Sequence, residues 1–310
     1  MNFQQSPEPF IGVDYWIGKA HLVIDTLWKG RDRNYMYEKE LQEVFDTHFL
    51  PIIFLKTDLL PVFIDQLLKQ TNEYILITAF NDDHCVPYIH YPPQDDDFKK
   101  KADLLLNNES LLCWYTKNPC IVHPKIQPVP LGPKWQWKTT RFFGEDKTTH
   151  LRIYNDLCIT PKQKLLDKNL KQNLLYFNYN QTTNNPLYTP HKNSRHLTKS
   201  QLMKNGFVWN PSTPFEDYLH VLQTHKFCAS PPGRGCDTHR TWEALMVGTI
   251  PIMIHTTLDA LFEKLPVVII DDWSVITEEF LNNEYERIMH NIEYYDFNIL
   301  YTHYWDKILS

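Results

Sequence analysis

The fold is decided by the segment Lys226–Ile254, which reads KFCASPPGRGCDTHRTWEALMVGTIPIMI. An apolar run enters a loop so rich in proline and glycine that it predicts a turn. The run from Arg240 to Val247 favours a helix with Asp237 or Thr238 at its N-cap, and Gly248 fits the position just past its end. The apolar run that follows predicts a second strand. The segment therefore indicates a strand–loop–helix–strand unit of an α/β protein.

The loop of this segment leads into a helix N-terminus, which is a place to bind phosphate. Free backbone N–H groups and the positive end of the helix dipole point at it. Arg234 and Arg240 flank that point, and each can bind phosphate oxygens in a bidentate manner. The alternative for Arg240 is a salt bridge with Glu243, one turn further along the helix. The other loop residues that we predict to contact a phosphate-bearing ligand are Ser230, Pro232, Gly233, Gly235, Asp237 and Thr238.

Composition limits the class of protein. The chain has 310 residues, enough for two domains, and 43% of them are hydrophobic, enough for sizeable cores. The net charge of −6 argues against a nucleic-acid-binding surface, which would be basic. The sequence has no apolar run of the length that spans a membrane and no N-terminal signal peptide, and its six cysteines show no metal-binding spacing. We therefore expect a soluble, cytoplasmic protein with free thiols and no membrane anchor.

Apolar runs alternate with helical periodicity along the rest of the chain, which predicts two successive α/β units with parallel sheets. Buried strands are predicted at Leu50–Leu55, Tyr74–Phe80 and Leu174–Asn178. A helix is predicted at Leu104–Tyr115, and a capping box at Thr213 is predicted to begin another. Ligands of such folds bind at the carboxyl ends of the strands, so the loops after these strands should face a common cleft.

The run Arg240–Ile252, RTWEALMVGTIPI, resembles GT-B glycosyltransferases and, more narrowly, the exostosin family. The match ends at Asp272. Upstream, YILITAFNDDHCVPY and WYTKNPCIVHPKIQPVPLG resemble the N-terminal half of short exostosin-like enzymes without a membrane anchor, a form that occurs in large DNA viruses of algae. The positions in step with the family pattern are Cys228, Ser230, Pro231, Gly233, Arg240, Glu243, Ala244, Gly248 and Pro251.

The resemblance implies a GT-B fold, with two Rossmann-like domains facing across a cleft, and the transfer of a sugar from a nucleotide-sugar donor to a hydroxyl of an oligosaccharide or glycoprotein acceptor. It implies an inverting reaction without a divalent metal or other cofactor, and a UDP-sugar donor, with UDP-xylose favoured by the short anchorless form. Carried over by position, Arg240 would bind the diphosphate and Glu243 the ribose hydroxyls. Some GT-B families have a second Glu where this chain has Gly235, so donor binding should differ in detail.

The pattern along the chain gives the expected domain bounds, and the resemblance gives the role of each domain. Residues 1–155 would form an N-terminal acceptor-binding domain and residues 156–173 a linker. Residues 174–290 would form the C-terminal domain that binds the nucleotide sugar, and residues 291–310 a helical tail that packs back on the N-terminal domain. Arg195, in a long polar loop, and Asp272, after a strand, complete the predicted donor contacts.

The general base is predicted in the loop after Tyr74–Phe80. Asp82, Asp83 and His84 follow that strand and so should lie at the cleft. A carboxylate beside a second carboxylate is suited to proton abstraction. The alternative is a turn in which Asp side chains bond their own backbone. We predict Asp83 as the base because its spacing to Val86-Pro87 matches the resembling enzymes, with Asp82 and His84 as the next candidates.

Two further motifs are weaker. Asp95–Asp97 has the D-x-D spacing of metal-dependent GT-A transferases, but it follows no apolar strand and favours a solvated loop. Gly233–Thr238 lacks the third glycine of the dinucleotide fingerprint, which disfavours a dehydrogenase. Two alternatives to a transferase stay open: a nucleotide-sugar epimerase of the same build, and a non-catalytic protein that binds glycans or nucleotide sugars.

Overall fold

A computed structural model describes residues 13–24, 31–80, 85–88, 96–134, 157, 160–183 and 194–309. These residues form an α/β protein with two parallel sheets, one of five strands and one of four. The chain divides into two compact units between Pro130 and Leu131, and each unit holds one sheet. The predicted α/β class is therefore confirmed. The predicted domain boundary at residue 155 stays a prediction, because residues 135–156 lie outside the described ranges.

The first unit has five parallel strands that pair in chain order. Strand β3 is buried along its whole length, as expected of a central strand in a parallel sheet, and its sequence YILITA is correspondingly apolar. The strands of the first unit are β1 (Leu22–Ile24), β2 (Ile52–Lys56), β3 (Tyr74–Ala79), β4 (Leu111–Thr116) and β5 (Ile126–Pro128). The helices of this unit are α1 (Val13–Lys19), α2 (Arg31–Thr47), α3 (Leu60–Leu68) and α4 (Asp96–Asn107).

The predicted helix at Leu104–Tyr115 is correct only over residues 104–107, and its second part is wrong. Helix α4 ends at Asn107, and the chain then turns into strand β4. The turn is made by Asn108, whose side-chain oxygen accepts a hydrogen bond from the Ser110 N–H at 2.9 Å. An Asn that binds the backbone two residues on competes with a helix. The aromatic residues of β4 then favour a strand.

The second unit has four parallel strands, again in chain order. Two short strands flank the fully buried strand β8, whose sequence is IPIMI. The strands of the second unit are β6 (Asn173–Tyr176), β7 (His225–Ala229), β8 (Ile250–Ile254) and β9 (Val268–Ile270). The helices of this unit are α5 (Pro161–Leu166), α6 (Arg195–Lys204), α7 (Phe215–Leu222), α8 (His239–Met246), α9 (Asp259–Phe262), α10 (Glu278–His290) and α11 (Thr302–Leu309).

The segment Lys226–Ile254 has the predicted form, with β7, the Pro/Gly loop, α8 and β8 in that order. Gly248 ends the helix with a φ of 69°, in the left-handed region that favours glycine. A side chain is also excluded there, since a Cβ would lie 2.5 Å from the Leu165 N atom. The predicted capping box at Thr213 is wrong: the N-cap of α7 is Pro214, and the Thr213 hydroxyl donates to the Pro211 carbonyl instead.

The parallel order brings the carboxyl ends of β6 and β7 to one edge of the second sheet. Doubly wound sheets bind ligands where the strand order reverses, and the described strands contain no such reversal. The candidate site is therefore located by the carboxyl ends of β6 and β7 alone. The C-terminal tail belongs to the same unit, with the Asp296 N–H donating to the Lys264 carbonyl at 2.8 Å. Among the helices of the described residues, none combines the length and hydrophobicity needed to cross a bilayer.

Candidate functional site

Three hydroxyl groups hold the start of helix α8 against the end of strand β7. The Ser230 Oγ lies 2.8 Å from Thr238 Oγ1 and 2.7 Å from Thr241 Oγ1. Thr238 is the N-cap residue of α8, but its hydroxyl makes no capping bond to the helix backbone. The first N–H groups of a helix have no partner within the helix. The hydroxyl triangle therefore fixes the position of the helix N-terminus without using its backbone donors.

Arg195 packs against the loop that follows β7. Its Nε donates to the Pro232 carbonyl at 2.9 Å, its Nη2 to the Pro231 carbonyl at 3.2 Å, and its Nη1 to the Asn180 carbonyl at 3.2 Å. A Cβ at Gly233 would lie 2.9 Å from Nη2, so the absence of a side chain there leaves room for the guanidinium. The fold thus brings a residue from the first turn of α6 to the Pro/Gly loop.

Arg240, in the first turn of α8, points toward the end of β6. Its guanidinium donates to the Asn178 carbonyl. Its Cζ lies 5.9 Å from the centre of the Tyr179 ring and 5.7 Å from that of Tyr218, within the range of a cation–π interaction. The predicted alternative, a salt bridge between Arg240 and Glu243, is not among the contacts of the described residues.

Tyr179 and Tyr218 each bury a phenol that has no hydrogen-bond partner among the described residues. Both side chains are more than nine-tenths buried. Within the described part of the chain, no donor or acceptor reaches either hydroxyl. An unpaired buried hydroxyl is costly, and such groups often mark a site that a ligand or water completes. Both rings contact Arg240, so the unpaired hydroxyls and the guanidinium belong to one cluster.

The electrostatics of this cluster favour an anion. The Arg195 guanidinium also lies over the Tyr179 ring, with its Cζ 5.7 Å from the ring centre. Burial, and then the positive charge of Arg240, lower the pKa of Arg195 to about 10, so both arginines are charged at neutral pH and repel each other. Among the described residues, Arg240 has no carboxylate in ion-pair contact. A bound anion would relieve the repulsion and accept charge-assisted hydrogen bonds.

Two buried carboxylates lie near the same helix. Glu243 is 5% exposed, and one of its oxygens accepts a hydrogen bond from the Lys134 N–H at 3.4 Å. Asp237, also buried, accepts from the Trp242 Nε1 at 2.8 Å and from the Leu131 N–H at 2.9 Å. Glu243 is therefore not a solvated helix residue. Asp237 anchors the loop internally, and its predicted ligand contact stays a prediction.

The other predicted donor-contact residues differ in their exposure and in their local contacts. Pro232 and Gly235 are buried in the loop, and Arg234 is exposed. Asp272 accepts a hydrogen bond from the Ser274 N–H at 2.8 Å and so caps the short 3₁₀-helix Trp273–Val275. A local capping role therefore accounts for Asp272 without a ligand.

The structure describes none of the predicted base residues and only part of the D-x-D motif. Asp82, Asp83 and His84 lie outside the described residues, as does Asp95. Asp96 and Asp97 form the first turn of α4, where they make ion pairs with Lys99 and Lys101 of the same helix. Among the described residues, there is no group of three or more His, Cys, Asp or Glu side chains that could hold a metal ion.

Sequence reasoning did not include three residues that the fold adds to this edge. Tyr179 follows β6 directly, so its position after a strand was an available signal. Tyr218 lies on α7 and joins the cluster only through tertiary packing. His255 follows β8, and its Nδ1 lies 2.5 Å from Asp259 Oδ2, an arrangement that orients the imidazole.

No protein-family model and no curated protein matches the chain. The resemblance to the exostosin family therefore remains a prediction that rests on motif positions.

Proposed function

We propose that this protein is a GT-B glycosyltransferase that transfers a sugar from a nucleotide-sugar donor to a hydroxyl of a glycan acceptor. One observation carries the proposal: Arg195 and Arg240, two mutually repelling cations, lie over the same Tyr179 ring at the N-terminus of α8. A diphosphate has the charge and the number of acceptor oxygens to bind both guanidinium groups and the helix N-terminus together.

The proposed site supplies what the leaving group of glycosyl transfer needs. The nucleoside diphosphate gains negative charge as the bond to the sugar breaks. Two guanidinium groups and a helix N-terminus form a preorganised positive environment at that point, which stabilises the transition state more than the ground state. The inverting, metal-independent course of the reaction belongs to the proposal through the exostosin resemblance.

Two further roles complete the proposal. Glu243 binds the ribose hydroxyls, as the exostosin resemblance implies. Asp83 removes the proton from the acceptor hydroxyl, with Asp82 and His84 as the alternatives. The donor is a UDP-sugar, with UDP-xylose favoured, and the acceptor is an oligosaccharide or glycoprotein.

Titration with UDP by calorimetry tests the donor site. We expect Arg240→Ala to weaken UDP binding by about 100-fold or more, because it removes a charge-assisted contact to the diphosphate. The matched control is Arg287→Ala, which removes an exposed arginine that pairs with Glu284 on α10. The control should bind UDP like the wild type. Equal affinity in Arg240→Ala and in the wild type would refute the phosphate role.

A panel of UDP- and GDP-sugars, with and without acceptor glycans, tests the reaction. Transfer to an acceptor supports the proposal, and Asp83→Asn should then abolish transfer while it leaves UDP affinity unchanged. Conversion of the donor to a sugar isomer without an acceptor would indicate the epimerase instead. Binding of UDP without turnover of any donor would indicate a non-catalytic binding protein.

A further inference from the structure

A second chemical feature lies in the first unit, where the chain segments after β3 and β4 are joined. The Val86 N–H donates to the Asn118 carbonyl at 2.9 Å, and the Cys120 N–H donates to the Val86 carbonyl at 2.8 Å. These bonds form a parallel bridge between Val86 and Pro119. The two segments are thereby held in a fixed register, with one cysteine on each.

The thiols of Cys85 and Cys120 converge on one carbonyl oxygen. The Tyr88 carbonyl accepts from Cys85 Sγ at 3.4 Å and from Cys120 Sγ at 4.0 Å. Cys120 Sγ also donates to the Val86 carbonyl at 3.0 Å. Neither cysteine is in a disulfide. The fold therefore places two reduced sulfur atoms side by side.

The two thiols differ in access. Cys85 is 1% exposed, whereas Cys120 is half-buried and is the one that solvent reaches. The interaction with the neighbouring Cys85 thiol lowers the pKa of Cys120 despite its burial. Burial instead raises the pKa of Cys113, and that of Cys228 to about 12. Because the thiolate is the reactive form, we expect Cys120, with the largest thiolate fraction of these three, to react fastest.

We propose that Cys85 and Cys120 are a redox-active pair that forms a reversible disulfide in response to a peroxide. The Cys120 thiolate attacks one oxygen of the peroxide, the O–O bond breaks, and a sulfenic acid and one water result. The Cys85 sulfur then attacks the Cys120 sulfur, the S–O bond breaks, and a second water leaves. Two thiols and one hydrogen peroxide thus give one disulfide and two waters, with both sulfurs oxidised and the peroxide oxygens reduced.

The disulfide would tie the segment after β4 to the segment that contains Cys85–Tyr88. The proposal rests on the two thiols and their backbone register alone. It is independent of the glycosyltransferase assignment, and either can fail without the other.

Peptide mapping of the full-length protein after treatment with hydrogen peroxide tests the pair. We expect the intact mass to fall by two hydrogens, a Cys85–Cys120 cross-linked peptide to appear, and dithiothreitol to reverse both changes. In the untreated wild type, we expect iodoacetamide to label Cys120 at least about tenfold faster than Cys113. A different cross-link, or faster labelling of Cys113, would overturn the proposal.

Three serine variants separate the two steps. In Cys85→Ser, peroxide should stop at a sulfenic acid on Cys120, detected as a dimedone adduct. Cys120→Ser should give neither the adduct nor the disulfide, because Cys85 is buried. Cys113→Ser is the matched control, since it removes another half-buried cysteine and should form the disulfide like the wild type. A dimedone adduct on Cys85 in Cys120→Ser would contradict the order of attack. The wild-type mapping and labelling decide the case even if a variant fails to fold.

Discussion

Two cationic side chains lie at opposite edges of the four-stranded sheet, and their surroundings differ. Lys171, at the amino edge, is 3% exposed, and its Nζ donates to the Gln223 carbonyl at 2.6 Å, the Val247 carbonyl at 3.3 Å and Thr249 Oγ1 at 3.1 Å. All three donors of the ammonium are thus used. Arg240, at the carboxyl edge, has five N–H donors, and among the described residues one carbonyl accepts from it.

The two cations also meet opposite ends of helix dipoles. Gln223 is the C-cap of α7 and Val247 the C-cap of α8, so the two helix dipoles favour a positive charge at Lys171, although burial opposes it. Arg240 lies in the first turn of α8, where the dipole disfavours a cation, and Arg195 adds a second positive charge. The comparison separates a cation that completes the fold from a pair of cations that an incoming anion would complete. The following predictions test that distinction.

The largest effect is expected from Lys171→Met. The substitution keeps the length of the side chain but leaves the buried carbonyls of Gln223 and Val247 without a donor, which we expect to cost about 3 kcal/mol in the free energy of unfolding. Urea unfolding of the wild type and the variant measures this cost. UDP affinity of the folded variant should be unchanged. A variant as stable as the wild type would remove the structural role of Lys171.

The stability contributed at the amino edge should also depend on pH. Burial, and then the charge of Lys164, lower the pKa of Lys171 from 10.5 to about 7 in the folded protein. Between these two values only the unfolded chain retains the proton, so stability rises as the pH rises from 7 toward 10.5. We expect the wild type to gain about 2 kcal/mol relative to Lys171→Met between pH 7 and pH 9. An identical pH dependence in the two proteins would contradict the lowered pKa.

A smaller effect is expected at the carboxyl edge. Arg240→Met removes one of two repelling charges from the positive end of a helix dipole, but it also removes the attraction of Arg240 to the Glu243 carboxylate, so we expect stability to change by no more than about 1 kcal/mol and the melting temperature by no more than about 2–4 °C. Thermal unfolding without a ligand measures the change. Addition of UDP should raise the melting temperature of the wild type but not that of the variant. A melting temperature of Arg240→Met that falls by more than this would show that Arg240 also completes the fold.

The smallest effect is expected from Tyr218→Phe. Its hydroxyl has no partner among the described residues, so its removal should leave the free energy of unfolding within about 0.5 kcal/mol of the wild type. Tyr74→Phe is the matched control, because the buried Tyr74 hydroxyl donates to the Leu67 carbonyl at 3.4 Å and its loss should cost about 1 kcal/mol. If Tyr218→Phe costs as much as Tyr74→Phe, the Tyr218 hydroxyl has a structural partner and its place in the ligand cluster is refuted.

The sequence predicted local structure better than it predicted the site. The course of Lys226–Ile254 followed from a Pro/Gly loop and from Gly248, whose effects act over a few residues. The helix predicted at Leu104–Tyr115 extends too far, because the prediction followed the apolar run and missed the turn at Asn108. The capping box at Thr213 failed because a neighbouring carbonyl competed for the hydroxyl. Within the site, Arg240 was found from its position in the helix, whereas Tyr218 could not be found, because it lies on a different helix.

The amino-acid sequence by itself determined the two α/β units and the strand–loop–helix segment, and it predicted phosphate binding at the loop of that segment. These depend on apolar periodicity, on the turn residues and on Arg240 at a helix start, all of which are local. Only the tertiary structure decided that Arg195 contacts the Pro/Gly loop. It also decided that Lys171, at the amino edge, donates to three acceptors. The physical reason is that a charge becomes structural or available for a ligand according to which carbonyls surround it. The order of the strands, and the ends of the helices packed on them, set which carbonyls those are.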